Sequence, residues 1–426
     1  MITKVSKFLK ILSYMIITVI LVSVDLLPTS AAETITLNYM IQQASAEYVK
    51  ECLPSFYKEH PNIRINFIIT PNPEIPIKLL TSLAAGTGAP DLAMIDIAAI
   101  ARFTSRDGVG LVNLAEAPYN ARKLKENYVP MIEAAITKSG KLLGIPTDSG
   151  AMAMFYRRDL FAQAGVDPNS IKSWDDYIAI GKKLTRDING DGEPDQWMIT
   201  DPRVLFDTIR TYQNGAGYFD KQGNLTLTSP RTIKALEVMK AVRDAKIDAN
   251  ITTDAEANAA LKKGAVATYL SAMWFDVFLH MYVPDTSGKW GVIPLPSNTL
   301  SALGGSFVVI TEQSKYKEEA WEFVKYVYAT TEGVGLLLGK ILALPAYKPA
   351  WKLPRYNEPM PFYGGQNIAK VFMEVARKLP AAVHSPYDFD ITDIVRPYVE
   401  EVLKGTMNPR EAMQRATDEV KRKLKL

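Results

Sequence analysis

Cysteine is almost missing from this chain: Cys52 is the one such residue in 426. An internal disulfide is therefore excluded, and so is a zinc site built on paired thiolates. Histidine is nearly as scarce. His60, His280 and His384 lie far apart, with no H-E-x-x-H or other metal-ligand spacing among them. Neither a G-x-S-x-G elbow nor a G-x-x-x-x-G-K-[ST] loop occurs, so no hydrolase nucleophile and no ATP-hydrolysing motor is signalled. Ser314 and Lys317 fit S-x-x-K, but they sit in a polar turn before a helix and are read as chance. A surplus of one charge is lacking too: 49 Lys and Arg stand against 46 Asp and Glu, a net of +3. Without residues 1–32, which hold three Lys and one Asp, the net is +1. That balance gives no support for nucleic acid or an anionic membrane as partner.

Long apolar runs are confined to the start. Lys4, Lys7 and Lys10 precede an apolar stretch from Ile11 to Val24, and Ser30-Ala31-Ala32 offers small residues for cleavage. This is the layout of an export signal over residues 1–32. The stretch is shorter than the roughly 20 residues of a membrane span, and retention as an anchor is the alternative. Export without disulfides points to a bacterial periplasm or the cell exterior. Cys52 shares a helical face with Val49, Leu53 and Phe56, and is read as a small buried hydrophobe. It lies too far from the signal to carry a lipid, so no lipobox cysteine exists.

What is present begins with nine residues, Asp187-Ile188-Asn189-Gly190-Asp191-Gly192-Glu193-Pro194-Asp195. Oxygen-bearing side chains fall at the first, third, fifth and ninth positions, with glycine at the sixth and a backbone carbonyl available at the seventh. Calcium, a large hard cation, needs several oxygens converging without strain, and this rhythm supplies them. The expected ligands are Asp187, Asn189, Asp191, Glu193 and Asp195. The twelfth position is Met198 rather than a bidentate glutamate, so the loop is not an EF-hand. A polar Asx turn with no ion is the competing reading.

A chain of 426 residues exceeds one comfortable core, and two lobes are the default. Ile35, Leu37 and Tyr39 alternate with polar neighbours as a half-buried strand. A helix to about His60, ended by Pro61, and an alternating run from Ile63 to Ile69 follow. Strand, helix, strand in so short a span predicts a parallel βαβ unit. A helix over 78–85 and a strand from Leu92 to Ile97 extend it. From Ala151 onward helical spacing dominates. Ser173 and Asp176 form a capping box before Trp174, Tyr177, Ile178 and Leu184, and Asn408, Pro409 and Glu411 open the last helix. Trp174, Trp290 and Trp321 are read as core.

Several pieces carry a family resemblance in their order. Gly86-Thr87-Gly88-Ala89-Pro90-Asp91-Leu92 precedes the third strand, and Gly144-Ile145-Pro146 leads into Phe155-Tyr156-Arg157-Arg158-Asp159-Leu160-Phe161. Ser173-Trp174-Asp175-Asp176, Gly264-Ala265-Val266-Ala267 with Ala272-Met273-Trp274, Trp290-Gly291-Val292, and Gly304-Gly305-Ser306 follow. The chain resembles the extracellular solute-binding proteins of bacterial ABC importers, in the sugar-carrying group that includes maltose-binding protein. Some members of that group share the calcium-like loop.

The resemblance implies an α/β fold of the type II periplasmic-binding-protein kind, with two discontinuous lobes around a central ligand cleft. Lobe 1 is expected over 33–146 plus 304–343, and lobe 2 over 147–303 plus 344–426, with crossings near 144–149, 304 and 344–347. It implies a non-enzymatic, monomeric protein that closes on a carbohydrate, expected to be an oligosaccharide, and delivers it to a membrane ABC permease served by a separate ATPase. Expected ligand contacts are Tyr39 and Gln43 at the end of the first strand, Asp96 after the third, and Asp148 and Ser149 in the first crossing. Gln213, Trp274 as stacking platform, Gly304, Gly305 and Ser306, and Tyr347 and Trp351 complete the set. Two readings stay open: another solute such as a glycerol phosphodiester or polyamine, and a secreted calcium-dependent carbohydrate-active enzyme, since Asp and Glu are abundant. A cluster of Arg or Lys at the crevice would favour a phosphate ester.

Overall fold

A computed structural model describes residues 33–426 apart from 212–216, 339–341 and 382. The export signal expected over 1–32 and Gln213 lie outside the described residues. Among those described, no helix is long and apolar enough to cross a membrane.

The βαβ pattern of the N-terminus forms as its alternation predicts. Strand β1 (Ile35–Ile41), helix α1 (Gln43–Glu59) and strand β2 (Ile63–Ile69) make a parallel pair, in register from Ile35 against Ile63 to Ile41 against Ile69. Helix α2 (Ile75–Ala85) starts three residues earlier than expected, because Pro76 suits a first helical turn. Strand β3 (Leu92–Asp96) is one residue shorter than expected. Asp96, still paired in the sheet, also caps helix α3 (Ile97–Thr104), its carboxylate accepting the Ala98 amide hydrogen at 2.8 Å. Strand β4 is Gly144–Pro146.

The middle of the chain holds β5 (Met152–Arg157), α4 (Arg158–Gln163), α5 (Trp174–Leu184), α6 (Arg203–Arg210), α7 (Pro230–Asp244), α8 (Asp254–Lys263), β6 (Thr268–Ala272), α9 (Phe275–Tyr282) and β7 (Trp290–Ile293). Strand β8 (Ser306–Ile310) returns to the first sheet. Then come α10 (Lys317–Ala329), α11 (Thr331–Leu337), α12 (Ile368–Lys378), α13 (Asp388–Lys404) and α14 (Pro409–Leu424).

Two sheets result. The first has the order β2-β1-β3-β8-β4, and the second β6-β5-β7. The first is parallel where βαβ units build it and antiparallel where β8 comes back against β3 and β4. The all-buried strand β5, Met-Ala-Met-Phe-Tyr-Arg, is central in the second sheet and covered on both faces. Ala153 and Phe155 face one apolar cluster, Met152, Met154 and Tyr156 another. That period-two division is what a pleated strand between two layers produces. Trp174, Trp290 and Trp321 are core, as their spacing predicts. Cys52 is fully buried, its thiol donating to the Gly333 carbonyl oxygen, and burial pushes it up to about 12. It is inert.

Candidate functional site

Three chain segments cross between the two sheets, side by side. The Thr147 amide donates to the Ser306 carbonyl at 2.9 Å, the Ser149 amide to that of Leu344 at 2.9 Å, and the Leu303 amide to that of Gly150 at 2.8 Å. The segment at 147–150 is thus the middle of a three-stranded hinge. Its closeness explains its glycines. Gly150 has φ +60, and a side chain there would meet the Gly304 carbonyl oxygen at 2.5 Å. Gly305, at φ +106, accepts the Ile97 amide hydrogen at 2.9 Å, tying α3 to the hinge.

The expected ligand residues divide around this hinge. Asp148 sits in its middle, where burial raises its carboxyl to about 6, against the Thr147 hydroxyl that donates to it at 2.9 Å. Asp96 is close enough to Asp148 for their charges to oppose. Burial raises Asp96 as well, offset by the Ala98 amide, the charge of His384 and the Asn72 side chain. Ser149 is buried, its hydroxyl accepting from the Ala151 amide at 3.3 Å. Ser306, the first residue of β8, pairs with Asp96, the last of β3. Trp274 is half-buried next to the hinge, donating its indole hydrogen to the Leu303 carbonyl at 3.1 Å, with Gly304 beside its nitrogen. One edge of the ring is therefore fixed while part of its surface stays open.

Other expected residues are not brought there. Tyr39 belongs to the core: its ring packs on Phe67 and Phe323, and its hydroxyl is 2.9 Å from that of Tyr328. The reason is the sheet itself, since β1 continues two residues past Tyr39 and keeps it inside. Gln43 is exposed on α1 and donates to Glu47 at 2.6 Å. Trp351 is buried, its indole donating to the Pro345 carbonyl at 2.8 Å under the Arg377 guanidinium. Tyr347 packs its ring on Tyr128 at the edge of the third crossing.

No local spacing points to the charged and aromatic groups gathered around His384, whose charge acts on Asp96. His384 Nδ1 lies 3.2 Å from Asp388 Oδ2, and the Arg210 guanidinium stacks on the Tyr218 ring at 3.8 Å. The Tyr218 hydroxyl is 2.9 Å from that of Thr392. Across the seam, Arg102 of α3 lies over the exposed Phe389 ring at 5.1 Å. Burial opposes the charge on Arg210, yet Tyr218, Asp207 and Asp388 raise its pKa on balance. Arg210, Tyr218, His384, Asp388 and Thr392 come from α6 and the loop after it, and from α13 and the loop before it, and no local spacing links them. A space of about 20 Å³ lies at the hinge between Ile97, Met131, Ser149, Ala302 and Leu379, room for a water, while Trp274 and Leu303 line a larger one of about 290 Å³ beside it. Hydrogen-bonding groups of both signs, an aromatic face and a jointed backbone suit reversible capture of a polar solute better than chemistry on it.

The Asp187–Asp195 loop stands apart, between α5 and α6, with Arg186 and Gln196 bridging its base. Asp187 accepts the Gly190 and Gly192 amide hydrogens at 2.6 and 2.8 Å, which holds its carboxyl below the usual range. Asp195 accepts those of Ile188 and Asn189 at 2.9 and 3.0 Å. The Asn189 amide reaches Asp191 at 3.0 Å and Asp195 at 3.1 Å. The side chains at the first, third, fifth and ninth positions thus turn into one closed loop. Among the described residues, no three His, Cys, Asp or Glu stand in a cation cage.

Comparison with known proteins decides the family. Residues 31–333 match the bacterial extracellular solute-binding proteins. The chain belongs to that family. It is a binding protein, not an enzyme. An arabinooligosaccharide-binding protein of Bacillus subtilis is 28% identical, over 91% of each chain. Two solved structures share the fold, two lobes of the type II periplasmic-binding kind. They are the sugar-binding protein MalE of Xanthomonas citri, TM-score 0.74 at 23% identity over 90% of this chain and 96% of that one, and a β-1,6-galactobiose-bound protein of B. animalis subsp. lactis, TM-score 0.72 at 22% identity over 91% and 97%.

Proposed function

We propose that this solute-binding protein captures an oligosaccharide between its lobes and hands it to a membrane ABC permease driven by a separate ATPase. The observation that carries this reading is Trp274, a ring clamped at one edge to Leu303 beside the hinge, with Asp96, Asp148 and His384 on the same seam. A sugar offers an apolar ring face for the indole and hydroxyls for the carboxylates, so each buried polar group finds a partner that would otherwise cost about 1–3 kcal/mol. The sugar-binding relative supports the same class. Capture then stabilises the closed arrangement, because ligand contacts from both lobes exist together only when the seam is shut.

Export by the signal over 1–32 and action as a monomer belong to this reading, as does a calcium ion held by Asp187, Asn189, Asp191, Glu193 and Asp195 as a brace. Isothermal titration against neutral oligosaccharides of two to six residues tests the central claim. Binding at micromolar or tighter Kd, about −8 kcal/mol or better, is expected for one class, weakened about tenfold or more by Trp274→Ala. No heat with any sugar would overturn it.

A further inference from the structure

Beside the hinge, the second lobe carries an open groove of about 700 Å³. Its cationic side chains are Arg231 and Lys234 from the first two turns of α7 and Lys378 from the end of α12, and no acidic residue lines it. Trp174 provides an apolar wall, and Asn298 and Thr299 provide polar edges. The groove runs into the seam: Pro380 lines both the groove and the narrow space at the hinge, and Leu300 of the groove lies two residues from Ala302 of that space.

The three cations differ in how far they are already neutralised. Lys378 pairs with Glu374 at 2.6 Å, both of them exposed. Lys234 makes no ion pair among the described residues. Arg231 spends its Nε–H on the Ile209 carbonyl, and its buried Nη1 has no hydrogen-bond partner among the described residues. Burial lowers Arg231 to about 10, with no carboxylate to offset it, yet it remains charged at neutral pH. A half-buried guanidinium that no carboxylate neutralises holds its charge at the groove wall, and a charge held out of water is costly unless an anion answers it. The positive end of the 15-residue helix α7 adds to the same field. Neutral hydroxyls would leave most of this charge unmatched, whereas a carboxylate or phosphate takes two or three charge-assisted hydrogen bonds at once.

We propose that this groove is an anion subsite, which holds a carboxylate or phosphate group carried by the captured saccharide. Arg231 and Lys234 make the principal contacts, and the sugar rings extend from the groove toward the open face of Trp274. The proposal rests on the oligosaccharide reading and narrows it to an acidic saccharide.

Titration at low ionic strength tests it with four probes: a neutral oligosaccharide, a uronate-terminated one of equal length, a sugar phosphate, and inorganic phosphate alone. An acid-bearing sugar is expected to bind about tenfold or more tightly than the neutral one, with the preference falling as salt is raised. Lys234→Gln, on an exposed helix position, and Arg231→Gln should each erase most of that preference and leave neutral-sugar affinity within about twofold. If Arg231→Gln does not fold, Lys234→Gln decides alone. The uronate and sugar-phosphate arms tell which acid the groove selects, and inorganic phosphate binding as tightly as the sugar phosphate would overturn the saccharide part. Equal affinity for neutral and acidic sugars overturns the subsite while sparing oligosaccharide capture. No binding of any sugar overturns both.

Discussion

Asp148 shows how one side chain can couple the hinge to pH. Its folded pKa, raised to about 6 chiefly by burial, lies above the unfolded value near 4. The folded state therefore holds a proton there that the unfolded chain has released. Stability from this group is full below about pH 4 and declines as pH rises through 6, because the ionised form is the one burial disfavours. Asp148→Asn abolishes that slope. In melting curves from pH 4 to 7.5, the variant should gain on the wild type as pH rises. Parallel curves would remove Asp148 as the cause. The same residue was legible in sequence only as a member of a crossing, because burial and the neighbouring Asp96 depend on β8 and on the third crossing. Tyr39 shows the converse limit. Alternation told which face it occupies, but not how far the sheet runs beyond it, and that distance makes it a core residue.

At the scale of elements, patterns that are local in sequence were readable. The βαβ unit, the Ser173 capping box and the Asn408 cap all form, since each depends on a few neighbouring residues. The seam was not readable, because His384 acts on Asp96, and Asp388 on His384 and Arg210, only through tertiary folding. The Asp187–Asp195 loop lies between these cases: its spacing was plain, and its Asx bonds now show how the side chains come to face inward. A calcium ion drawn to these oxygens would bind the folded loop and not the unfolded chain, and so stabilise the folded state by mass action. Chelation should lower the melting temperature by a few degrees and leave sugar affinity within a few-fold. A melting temperature indifferent to calcium would count against the ion, and a large loss of affinity would place the loop in the binding machinery.

For the whole molecule, two sheets suggest two units that could melt separately, but the packing argues otherwise. One continuous apolar cluster contains Leu37 and Ile95 of the first sheet together with Phe155, Trp290 and Val292 of the second. It also takes in Phe372 and Met373 of α12, which reach the second sheet from the far side of the third crossing. Phe155 packs against Phe275 and Phe372, with ring centres 5.3 and 5.6 Å apart. Pulling the first sheet out would expose part of this cluster and break the three hydrogen-bonded crossings at once. Neither half keeps its apolar surface covered alone, and burial worth about 25 cal/mol per Å² is lost from both together. Unfolding should therefore be a single transition in scanning calorimetry, with the van't Hoff enthalpy equal to the calorimetric one. A saturating ligand in the seam should move that whole transition upward without splitting it, because it binds only where both halves are folded. Two resolved transitions, with ligand shifting just one of them, would show that the hinge joins independent units and that the shared cluster does not couple them.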